Sequence, residues 1–96
     1  MGWKVIFAPQ AYARLEEIVR FIARDDPSAA IRLGDYLVDR AESLAGFPEL
    51  GTPYRKRPHV RRLLCKPYLI YYRLRAEEKV IEIMDFWHSA RRDFRI

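Results

Sequence analysis

The side chains best suited to move a proton or hold an anion lie in the second half of this 96-residue chain. Cleavage of RNA by 2′-OH attack needs a base for the hydroxyl, an acid for the leaving oxygen and positive charge on the phosphate. His88, Arg61 or Arg62, Arg91 and Tyr72 supply those residue types. Adjacent strand positions face opposite ways, so only one of Arg61 and Arg62 can join a given face. His88 has a plainer reading as a structural residue that closes the last strand, hydrogen-bonded to backbone. His59, at a loop-to-strand junction, reads as surface. Arg55, Lys56 and Arg57 form a cationic run between Pro53 and Pro58, and Arg73, Arg92 and Phe94 complete the set of candidate contact residues.

Other chemistries find little support. Two histidines and one cysteine, well apart, offer no metal-ligand spacing, and four glycines without repeat offer no phosphate loop. No cofactor is expected. Cys65 cannot form an internal disulfide and reads as an inert, partly buried thiol. Tyr68, Tyr71 and Tyr72 fit a strand core and rim better than a base-stacking platform.

Charge divides the chain. Residues 1–52 hold six Lys/Arg against eight Asp/Glu, whereas residues 53–96 hold twelve against five. A basic half implies an acidic partner, nucleic acid or protein, and an acidic protein segment that orders on binding would match it. The longest early apolar run, Val5 to Ala8, is too short for a signal peptide or a membrane span. A cytoplasmic setting is the expectation.

The elements that must position these residues follow from hydrophobic period. Trp3, Val5 and Phe7 alternate as a short strand. Pro9 opens a helix with Leu15, Ile18, Val19 and Ile22 on one stripe and Arg14, Glu17, Arg20 and Arg24 away from it. Asp26 and Pro27 read as N-cap and first residue of a second helix, which carries Ala30, Leu33, Leu37, Ala41 and Leu44 at helical spacing. Gly46 is placed to end it near Ala45. After a proline-rich loop, His59 to Lys66, Tyr68 to Arg75 and Lys79 to Trp87 are strand-like, with Ala76-Glu77-Glu78 as a tight turn. One α+β domain is expected over residues 1–96: an N-terminal strand, then an antiparallel helical hairpin packed on a small antiparallel sheet of three further strands.

Several segments together resemble the RelE/ParE superfamily of toxins. They are the helical hairpin with Asp25-Asp26-Pro27 at its tip, the Pro-x-x-Gly loop in Phe47-Pro48-Glu49-Leu50-Gly51-Thr52-Pro53, and Val60-Arg61-Arg62-Leu63. Tyr68-Leu69-Ile70-Tyr71-Tyr72-Arg73 and His88-Ser89-Ala90-Arg91-Arg92-Asp93 follow in the right order. The resemblance covers nearly the whole chain and implies a bacterial, growth-inhibiting toxin neutralised by a cognate antitoxin. Within that superfamily RelE-like members cut messenger RNA on the ribosome, and ParE-like members poison DNA gyrase without known catalysis. The longer hairpin, the loop and the tail look more like ParE. RelE-like toxins present loop lysines, for which Arg55, Lys56 and Arg57 could stand, and an arginine and a tyrosine near the end. Here the tail lacks that tyrosine, with Phe94 its only aromatic after Trp87. Binding rather than catalysis is the reading that follows, and a non-toxic protein-binding module of the same fold is the remote alternative.

Overall fold

The computed structural model describes residues 2–91. Strand β1 (Lys4–Phe7) leads into helices α1 (Pro9–Ala23) and α2 (Pro27–Glu42), and a 3-10 turn follows at Ser43–Ala45. Four strands come next: β2 (Thr52–Pro53), β3 (Val60–Cys65), β4 (Tyr68–Arg75) and β5 (Val80–His88). Proline stands at the first helical turn of both helices, where its missing N–H costs nothing. The Asp26 carboxylate accepts from the Ala29 amide at 3.0 Å and so caps α2 as expected. Gly46 does not end α2 in the left-handed conformation: its φ is −91°. The helix stops at Glu42 and its last turn tightens, with Ser43 Oγ donating to the Arg40 carbonyl at 2.6 Å.

All five strands form one sheet in the order β1-β5-β4-β3-β2. The three strands expected after the hairpin, β3, β4 and β5, form the antiparallel part as expected. The two-residue β2 and the parallel β1 extend it at either edge into a five-stranded mixed sheet. β1 pairs parallel with β5, Lys4 opposite Val80 through Phe7 opposite Ile83. The helical hairpin is the crossover that brings the chain back in the same direction. The remaining pairs are antiparallel. Among the described residues no helix is long and apolar enough to cross a membrane.

The hairpin covers one face of the sheet. Leu37, Ala41, Leu44 and Ile18 meet Leu63, Ile70, Tyr72, Ile81, Ile83 and Phe86 in a single core cluster. The two helices approach closely at Gly34, where a Cβ would lie 3.2 Å from Val19 Cγ2. On the opposite, open face a smaller cluster of Tyr54, Val60 and Tyr71 is flanked by Leu69, Met84 and Trp87.

Strand β5 changes phase between these faces. Ile81 and Ile83 point to the hairpin, yet so does Phe86, because a bulge places an extra residue of β5 opposite the Tyr71–Tyr72 step of β4. Without the bulge, strict alternation would aim Asp85 into the apolar core. Instead the Asp85 carboxylate, only 3% exposed, accepts from the Phe86 amide at 2.8 Å, from Arg14 Nε at 3.0 Å and from Gln10 at 3.2 Å. β1 pairs with β5 only as far as Ile83, which leaves this end of the strand open to Arg14 of α1. Arg14 therefore bridges helix and sheet instead of lying on a solvated helix face.

Near the other end of β5, Glu82 accepts from Arg73 Nε at 2.6 Å and from Arg75 at 3.1 Å. Burial alone would raise the Glu82 pKa, but the two guanidiniums outweigh it and hold the carboxyl below its ordinary value. A depressed folded-state pKa contributes stability above the unfolded value, about 4.3, and loses it as pH falls through the folded one. Both arginines are more than a third exposed, so screening limits the gain to at most about 1 kcal/mol. Glu82→Gln should accordingly be less stable than the parent at pH 7. In urea titrations the gap should close as pH drops below about 4, and a gap independent of pH would contradict this account.

Candidate functional site: a basic groove on the open face

The open face carries a groove of about 460 Å³ that runs from β2 across β3 and β4 to the end of β5. Its cations are Arg55 and Lys56 from the loop after β2, Arg62 from β3 and Arg91 just past β5. Its floor and walls are Tyr54, Leu69, Tyr71 and Trp87. Among the described residues neither a carboxylate nor a histidine lines it.

The register explains who is present. Arg62 sits opposite Tyr71 and Leu64 opposite Leu69, all on the open face. Arg61, Leu63 and Cys65 sit opposite Tyr72, Ile70 and Tyr68, on the hairpin face. Two of the groove guanidiniums stack on its aromatic rings, Arg62 over Tyr54 at 5.5 Å and Arg91 over Trp87 at 5.4 Å. Arg14 reaches the Trp87 ring from the α1 side at 5.1 Å. Stacking orients a guanidinium while leaving its N–H edge to bind an anion. Cations clustered over a low-dielectric aromatic floor focus a positive field, which attracts phosphates or an acidic protein surface.

The residues considered for acid–base chemistry fall into two separate groups, His88 with Arg91 and Tyr72 with Arg61. His88 lies on the hairpin side, lining a separate cavity of about 250 Å³ with Arg14, Glu17, Ile18, Phe21 and Tyr68. Its Nδ1 accepts from the Ala90 amide at 3.1 Å, a backbone bond that closes the strand end. Its ring meets Tyr68 edge-on at 5.2 Å. Tyr72 is fully buried, and burial raises its hydroxyl above the ordinary tyrosine range, partly offset by the Gly51 amide and Arg61. Arg61 donates to the carbonyls of Gly51 and Glu49. Arg73 is paired with Glu82, and Arg57 stands exposed at the loop tip. His59, with φ 74°, is exposed in the turn before β3. Arg92 and Phe94 lie outside the described residues. Among the described residues Arg91 alone lines both cavities.

Cys65 is fully buried, and that burial pushes its thiol up, with Arg40 and Tyr36 offsetting part of the shift. Such a thiol is a poor nucleophile. Tyr68 and Tyr71 are core residues of the two clusters, not a stacking platform. Among the described residues no group of His, Cys, Asp and Glu is arranged to hold a metal ion. Trp87, Tyr54 and the Arg14–Asp85 pair were not legible as site formers from residue type. The one available signal was Asp85 itself, a lone acid inside the apolar run from Val80 to Trp87.

A helical hairpin on one face of a small mixed sheet is a fold shared with the chains of several toxin–antitoxin complexes. A chain of the chromosomal ParDE system of P. aeruginosa superposes with a TM-score of 0.75 at 20% identity, covering 90% of this chain and 95% of that one. A chain of the RelBE2 complex of Mycobacterium tuberculosis gives 0.73 at 21% identity, covering 92% and 99%. One of the E. coli RelBE complex gives 0.62 at 14% identity, covering 93% and 99%. In sequence, the chain is 33% identical over 76 residues to Y4kP, a candidate toxin of Sinorhizobium fredii, covering 78% of this chain and 79% of that protein. Residues 5–93 match the family model of the ParE toxin of type II toxin–antitoxin systems, parDE. The chain belongs to that family.

Proposed function

We propose that this toxin is held by a cognate antitoxin in the bacterial cytoplasm and, when released, acts by poisoning DNA gyrase through the open-face groove. The observation that carries this reading is the separation of parts. The groove gathers four cations without a carboxylate or histidine among its described lining. Of the acid–base candidates, His88 lies on the hairpin face and the Tyr72 hydroxyl is bonded to loop backbone. A surface of this kind binds an anionic partner and leaves the chemistry to that partner. An antitoxin segment has an apolar seat available on the hairpin side, beside Phe21, which is 66% exposed, and the cavity it lines with Ile18 and Tyr68. The second reading is a ribosome-dependent endoribonuclease, favoured by the fit of stacked guanidiniums to phosphate.

Purified protein distinguishes the two in parallel assays of gyrase supercoiling with cleavage-complex trapping and of message cleavage on programmed ribosomes. Activity is expected in the first and none in the second. Arg62→Ala should weaken gyrase poisoning by roughly 10–100-fold, as for the loss of one interface arginine, and His88→Ala should leave it within a few-fold. Codon-positioned message cleavage that drops by about 10²–10⁴-fold with His88→Ala would make this protein an enzyme and overturn the proposal.

A further inference from the structure

Tyr72 and Arg61 carry reactive-looking groups, but those groups are spent on the backbone of one loop. The Tyr72 hydroxyl accepts from the Gly51 amide at 2.9 Å and donates to the Pro48 carbonyl at 2.9 Å. Arg61 Nε donates to the Gly51 carbonyl at 3.0 Å, and its Nη2 to the Glu49 carbonyl at 3.4 Å. Gly51 is pressed against β3: a Cβ there would lie 2.6 Å from the Arg62 carbonyl oxygen and 2.9 Å from the Tyr72 ring. The space between β3 and this loop admits no side chain, so only glycine lets the hydroxyl and the guanidinium reach the loop backbone.

What hangs from this anchor is the basic edge of the groove. β2 follows at once and is only two residues long, Thr52 opposite Arg62 and Pro53 opposite Arg61. Pro53 has no N–H to give the ladder. Beyond it the chain is held by Tyr54 N–H to the Val60 carbonyl at 2.8 Å and by the buried Tyr54 ring, set edge-on to Tyr71 at 5.2 Å. Turn bonds from Arg57 N–H to the Tyr54 carbonyl at 3.2 Å and from Val60 N–H to the Arg57 carbonyl at 3.1 Å hold it further. So short a strand cannot fix Arg55 and Lys56 unaided.

We infer that Tyr72 and Arg61 are positioning residues. Acting through the Pro48–Gly51 backbone from the hairpin face, they hold Thr52–Lys56 where Arg55 and Lys56 join Arg62 and Arg91 in the groove. The functional half of this inference rests on the proposed role of the groove in gyrase poisoning, and the structural half does not.

The test uses Tyr72→Phe, which keeps the buried ring and removes only the hydroxyl, and the double variant Tyr72→Phe/Arg61→Gln. Native-state hydrogen exchange should show the Tyr54 amide, which bonds neither residue, exchanging roughly ten-fold faster in Tyr72→Phe. The Ile70 and Ile83 amides should be unchanged. Poisoning of gyrase on relaxed plasmid by the double variant should fall about ten-fold or more, because only the closed loop is competent to bind. An unchanged Tyr54 amide, or equal acceleration of Tyr54, Ile70 and Ile83, would show a merely structural role and overturn the inference. A faster Tyr54 amide with undiminished poisoning by the double variant would overturn its functional half. Failure of the unmodified protein on gyrase would instead strike at the proposed target, with the exchange result still deciding whether the anchor holds the loop.

Discussion

Leu37→Asp is expected to leave no folded protein at 25 °C. Leu37 is fully buried at the centre of the hairpin face, packed in the cluster that includes Ile70, Ile81 and Phe86. Removing the leucyl side chain alone costs about 2–5 kcal/mol through lost burial and the cavity left behind. An unpartnered carboxyl adds several kcal/mol more, even after it takes up a proton to escape the charge. The sum approaches or exceeds the roughly 5–15 kcal/mol of stability typical of a domain. Circular dichroism should show loss of the cooperative melt, and the amide spectrum should collapse to the narrow dispersion of an unfolded chain. A variant that melts cooperatively near the parent temperature would remove Leu37 from the core and with it the docking of α2 on the sheet.

Asp85→Ala has the second largest expected effect, and it acts through charge rather than volume. The substitution strands the Arg14 guanidinium, whose side chain is 20% exposed, and leaves the Phe86 amide and the Gln10 side chain without their acceptor. Removing one partner of a buried pair typically costs 3–5 kcal/mol. Arg14 keeps Glu17 at 3.0 Å and some water, so the lower end, about 3 kcal/mol, is expected. Asp85→Asn should cost less, because its amide oxygen can still cap Phe86. In a double-mutant cycle with Arg14→Ala, the coupling energy should account for most of the Asp85→Ala loss. Urea midpoints measure all four proteins, and a coupling below about 0.5 kcal/mol would mean that the carboxylate matters only as a cap for the bulge. Arg14 also touches Trp87, so Asp85→Ala should loosen the groove floor as well as the fold.

The two helices, their start signals and the turn at Ala76–Glu78 could be read from the sequence because they depend on neighbours within a few residues. Asp26 caps three positions on, and Leu33, Leu37 and Leu44 repeat at the helical period whatever they pack against. The Pro-x-x-Gly segment was also visible as a pattern, but its reason was not. Only the fold shows that Gly51 is squeezed between β3 and the Tyr72 ring. The pairing of β1 with β5 joins residues some 76 positions apart, and nothing in either strand encodes the partner. The same holds for the cations. Sequence alternation told that Arg61 and Arg62 part company, while only the register against Tyr72 and Tyr71 decides which of them meets the groove. The bulge at Asp85 then reverses the parity of β5, sending Trp87 to the groove and His88 to the hairpin side. Residue types and local periods thus determined which elements form and which side chains were available. Contacts between distant strands, and one extra residue in β5, decided which of those side chains share a face, because strand pairing is set by long-range burial rather than by local preference.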